Sequence, residues 1–140
     1  MGESNHMHTK MLMSFSALFL AALGILALFL TQRILLHYGA YPGTFAVIIL
    51  KVVGGVLLGF AVLNWTARAA LGGGASGRPL ALGNFVHFAL VTLALWRPVV
   101  AHAAGGYKFI TITVLYTIFA VWFAVVLFSK PNPDKPSSPA

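Results

Sequence analysis

Four apolar runs succeed one another between Met11 and Phe128, each of about 20 residues, the length a helix needs to cross a bilayer's hydrocarbon core of roughly 30 Å. Such length leaves a chain few choices. Hydrocarbon offers a peptide group no hydrogen-bond partner, so each run must satisfy its own backbone as a helix. Composition agrees: 59% of residues are hydrophobic, 8% are charged and the mean hydropathy is +0.90. That leaves too little polar surface for a water-soluble domain.

The predicted helices cover about 11–36, 44–68, 80–103 and 109–128, and the expected fold is all-α: a four-helix transmembrane bundle, antiparallel and up-down. A polar segment, residues 1–10, precedes it, and a proline-rich tail, residues 129–140, is expected to be disordered. Met7 or Met11 would serve as alternative natural starts, the residues before them then being an added leader. The first run exceeds the core of about 7 to 15 residues usual in a cleavable signal, so it reads as a retained helix. Turn formers and interfacial aromatics in His37-Tyr38-Gly39-Ala40-Tyr41-Pro42-Gly43 predict a short exposed connection.

Nine Lys and Arg against two acids give a formal charge of +7, and the acids, Glu3 and Asp134, stand in the polar ends. The cations lie singly at the ends of apolar runs, a pattern suited to lipid headgroups and not to nucleic acid. Lys10, Arg68, Arg78, Lys130 and Lys135 fall on one side of the membrane, and Arg33, Arg97 and Lys108 on the other. The excess predicts that both termini are cytoplasmic.

Several chemistries lack their residues. Paired-carboxylate catalysis and a Ser-His-Asp triad both need an acid within the apolar body. There is no cysteine, and the five histidines are scattered, with His87 toward one side and His37 and His102 toward the other. A tetrahedral zinc site or a bis-histidine haem is therefore not expected, nor is any cofactor. Gly72-Gly73-Gly74 follows a membrane helix and lacks the Gly-Lys-Ser/Thr ending of a phosphate-binding loop.

The polar residues inside the apolar runs are the candidates for function. Asn64 and Arg68 share one face of the second helix, and Asn84 and His87 one face of the third. The glycine-rich connection between these helices makes them antiparallel neighbours, so all four side chains can reach one cytoplasmic-side layer. Two accounts fit: a hydrogen-bonded structural layer, or a basic intramembrane cleft for a polar or anionic headgroup. Lys51 lies about 10 Å into the second helix by helical rise and reads either as a snorkelling cation or as a ligand-binding one. Tyr116 is expected at similar depth. Small residues predict where helices approach closely: Gly24 in the stripe Ser14, Ala17, Ala21, Gly24, Ala27; Gly55 and Gly59; and Ala120 and Ala124 beside Thr113 and Thr117.

Leu63-Asn64-Trp65-Thr66-Ala67-Arg68, a short basic loop, and Leu82-Gly83-Asn84 followed by His87 resemble a pattern in small bacterial integral membrane proteins with four predicted spanning helices and no assigned activity. The resemblance covers about residues 11–128. It implies a four-helix fold in the bacterial inner (cytoplasmic) membrane and brings with it no substrate or catalytic residue. Arg68-Ala69-Ala70 is a fainter echo of the membrane glutathione transferase group, without that group's Glu and Gln. The function expected is non-enzymatic binding or movement of lipids or small hydrophobic molecules, by a homo-oligomer or with a membrane-protein partner. The alternatives are an accessory or scaffolding subunit of a membrane complex and a small membrane enzyme.

Overall fold

The structure, a computed structural model, describes residues 2–70, 77–101 and 106–128. Its elements are α1 (Gly2–Phe29), α2 (Thr31–His37), α3 (Thr44–Ala70), α4 (Gly77–Val100) and α5 (Tyr107–Phe128). Four segments are long and apolar enough to cross a membrane: Thr9–Phe29, Thr44–Arg68, Pro79–Val100 and Tyr107–Phe128.

Polarity is distributed the reverse of a water-soluble domain. Ser16, Asn64, Asn84, Thr113 and Thr31 are buried, whereas Phe45 (78% exposed), Leu93 (69%) and Phe128 (72%) lie open. Buried polar groups and bare apolar ones together are what hydrocarbon solvent favours, because apolar side chains lose nothing there and polar ones must find protein partners. The chain is therefore a transmembrane helical protein.

The two largest departures from the expected boundaries both lie in the first apolar run. The helix begins at Gly2 and not near residue 11, since no proline or glycine cluster interrupts residues 3–10. It also stops at Phe29 instead of running to 36. The Thr31 hydroxyl donates to the carbonyls of Ala27 and Leu28, and Leu30 leaves helical geometry with φ −110° and ψ 19°. A side chain that takes up helical carbonyls in this way bends the helix. The short α2 then closes in a Schellman cap, with the amides of Gly39 and Ala40 donating to the carbonyls of Leu36 (3.0 Å) and Leu35 (2.8 Å). Gly39 sits at φ +72°, where a Cβ would be strained. The tail 129–140 and most of the glycine-rich connection, residues 71–76, lie outside the described residues.

The chain divides into two compact units, Met1–Leu80 and Ala81–Ala140. In the first, α1 packs on α3. The buried positions of α3, Gly54, Leu57, Ala61 and Asn64, recur at three- and four-residue intervals and form one helical face. Gly24 of α1 meets Gly54 so closely that a Cβ on either would lie 2.9 Å from the other's carbonyl oxygen. Nearer the N-terminus of α1, Ser16 meets Asn64, so the two helices run in opposite directions.

In the second unit, α4 and α5 join through aromatic rings. Phe88, fully buried, stacks on Phe119 (centroids 5.1 Å apart) and Phe123 (5.5 Å) and tilts against Tyr116 (5.4 Å). Phe85 meets Phe128 edge-on at 5.9 Å, and Trp96 donates through Nε1 to the Thr117 hydroxyl at 2.9 Å. That hydroxyl donates in turn to the Thr113 carbonyl. Pro98 falls in the last turn of α4, where few intrahelical bonds remain to be lost.

Candidate functional site

Most of the polar residues singled out in the sequence are engaged in packing. Asn64 is fully buried and donates through Nδ2 to Ser16 Oγ at 3.0 Å, while that hydroxyl donates to the Met13 carbonyl. Arg68 lays its guanidinium over the Trp65 ring, 3.3 Å from the centroid, a cation–π contact that anchors the end of α3. In the second unit, half-buried His87 lies edge-on to Phe88 at 5.2 Å and tilted to Tyr116 at 6.0 Å, and Tyr116 is 4% exposed. Asn84 on the same helix is fully buried. Within their own units Asn64, Asn84 and Tyr116 are pieces of core.

The small residues divide as well. Gly24 makes the close approach foreseen for it, but its partner is Gly54. Gly55 and Gly59 are exposed, with nothing within 4 Å of where a Cβ would stand, so they do not set the α1–α3 crossing. A helix shows only one face to its neighbour, and Gly55 lies about 100° around the axis from Gly54. Ala120 is buried and Ala124 half-buried on α5.

Lys51 opens on a cleft. At the bend between α1 and α2, a recess of about 210 Å³ is lined by Leu28, Phe29, Leu30, Thr31, Gln32, Arg33, Val47 and Lys51. The local sequence explains the recess: Thr31 bends the chain, α2 departs from the line of α1, and the start of α3 passes alongside. Its lining joins two cations and an amide to apolar walls. Arg33 supplies a planar fork of donors and Lys51 a compact charge on a flexible stem. The sequence places no carboxylate between Glu3 and Asp134 to neutralise them.

Sequence reasoning missed Arg33 and Gln32 as partners of Lys51. The polar trio Thr31-Gln32-Arg33 at the end of an apolar run was visible, but its approach to Lys51 depends on register. Once Gly24 faces Gly54 in opposite directions, Lys51 is carried to the turn containing Ala27 to Thr31. A second groove, of about 520 Å³, lies along α5 beside Trp96 and is lined by Val114, Thr117, Ile118, Val121, Trp122 and Val125. Its walls are almost wholly apolar, so it can accept an alkyl chain but has no charge with which to select one.

The chain matches no protein-family model, no curated protein and no solved structure.

Proposed function

We propose that this is a non-enzymatic protein of the bacterial inner membrane that binds or moves lipids or small hydrophobic molecules. In this reading the four long helices form an antiparallel up-down bundle with both termini in the cytoplasm. The bacterial membrane follows from the likeness of Leu63–Arg68 and Leu82–His87 to small bacterial four-helix proteins, and the orientation from the cation excess at Lys10, Arg68, Arg78, Lys130 and Lys135. The observation that carries the function is the cleft at the α1–α2 bend, where polar donors and apolar walls meet at one end of two spanning segments. An amphiphile needs both kinds of surface in one place.

Native mass spectrometry after gentle extraction tests the proposal. The wild-type protein is expected to retain lipid or another hydrophobic adduct at fixed stoichiometry, and Val47→Trp, which fills the cleft, is expected to lose it. Full delipidation of the wild type, or equal retention by both proteins, would overturn the reading.

An accessory or scaffolding role is the second reading. It is favoured by Gly55 and Gly59, which leave a small-residue surface on the outer side of α3 against which another helix could pack. A homo-oligomer would use the same surface. The same spectra discriminate: a co-purifying partner supports the accessory role, and a pure homo-oligomer counts against it.

A further inference from the structure

The cleft between α1, α2 and α3 carries more than affinity for amphiphiles in general. Its charged side chains, Arg33 and Lys51, are of one sign, they line the same recess, and beside them the Gln32 amide can donate a hydrogen bond, the Thr31 proton being already given to the carbonyls of Ala27 and Leu28. Two other cations of the described residues rest on aromatic faces, Arg68 on Trp65 and Lys108 on Tyr107 at 5.9 Å. Among the described residues Arg33 and Lys51 have no such contact, and the sequence offers no acid in the apolar body. Two like charges held beside hydrocarbon repel each other and are costly to desolvate, and both costs fall when an anion sits between them.

From this we infer that Arg33 and Lys51, assisted by Gln32, form a site for a phosphate-type oxyanion, the chemistry shared by an anionic lipid headgroup and a free phosphate. Arginine's fork matches two oxygens of a tetrahedral oxyanion, and the lysine, on a flexible stem from α3, supplies a third contact as a point charge. Size is adequate, since a recess of about 210 Å³ equals the liquid volume of roughly seven waters at about 30 Å³ each. That space admits a phosphate group with part of its ester but not an entire lipid. For a lipid, the chains would run out along Leu28, Phe29 and Val47. The inference rests on the binding function proposed above and names its ligand class.

The test uses the full-length protein in nanodiscs containing equal amounts of phosphatidylglycerol and phosphatidylcholine, with co-purified lipid counted by native mass spectrometry. In the second lipid, choline's own cation balances the phosphate; in the first, nothing does. Wild-type protein is expected to enrich phosphatidylglycerol, and Arg33→Gln or Lys51→Gln to lower that enrichment about tenfold each, the scale of one lost charge-assisted hydrogen bond. Arg33→Lys and Lys51→Arg should keep most of it, and their folding serves as the control should a neutral variant fail to fold. A parallel arm uses phosphatidylcholine nanodiscs with added inorganic phosphate. Saturable thermal stabilisation there, lost in Lys51→Gln, without phosphatidylglycerol enrichment, assigns the site to a soluble oxyanion.

If neither arm responds to the two neutral variants, the inference is overturned. The broader function then survives if the adducts remain and are still removed by Val47→Trp, and falls with it if the wild type holds none.

Discussion

The α1–α3 pair and the α4–α5 pair answer the same problem with opposite means. Lipid tails are as apolar as leucine, so nothing in the solvent pushes two spanning helices together, and association must come from packing and hydrogen bonds. The first pair removes side chains: Gly24 and Gly54 let two backbones come within contact of each other, and Asn64 bonds Ser16 roughly two to three turns away. The second pair adds them, with Phe88 between Tyr116, Phe119 and Phe123. Close backbone approach is intolerant of added atoms, whereas ring stacking is intolerant of their loss.

Three substitutions set these two means against each other. Phe88→Ala is expected to have the largest effect, a loss of about 3 kcal/mol, because it empties the centre of the ring cluster. Reversible unfolding in mixed micelles would measure it, and lowered amide protection in α4 and α5 would localise it. A loss below about 1 kcal/mol would mean that the rings fill space without holding the pair.

Gly54→Ala comes next, at about 1 to 3 kcal/mol, since the added Cβ meets the Gly24 carbonyl and cannot rotate away. Gly59→Ala in the same helix is its control. With open space at that Cβ it should change stability by no more than about 0.5 kcal/mol, or raise it slightly through helix propensity. Equal effects at the two positions would refute the assignment of the crossing to Gly54.

Apart from that control, the smallest effect is expected of the buried amide. Asn64→Ala should cost about 1 kcal/mol, and a double-mutant cycle with Ser16→Ala should give a coupling near 0.6 kcal/mol, the usual size of a side-chain hydrogen bond within a membrane. Zero coupling would mean that Asn64 is held by its other contacts and that the bond to Ser16 is incidental.

How much of this could be read from the residues depends on what sort of information each feature carries. Lys51 stood out because one charge in an apolar run is conspicuous in one dimension. Its cleft was not readable, because Arg33 and Lys51 are 18 residues apart in the chain and come to line one recess only through the antiparallel register of α1 and α3. Asn64, Asn84 and His87 were equally conspicuous, yet no spacing rule could tell a hydrogen bond to Ser16 or an edge-on ring contact from a ligand site. The pair Gly55 and Gly59 fits the small-residue pattern better than Gly54 does, and the structure uses Gly54.

By itself the sequence determined that this chain lives in a membrane as helices, because the length and greasiness of its segments set the cost of every other environment. It also determined which residues would be expensive to bury. Only the tertiary structure decided which face of each helix turns inward, and so which polar groups are consumed by packing and which, like Lys51, stay open at a cleft. Facing is a cooperative property of two helices: a single backbone contact between Gly24 and Gly54 rotates and registers every other residue of the pair at once.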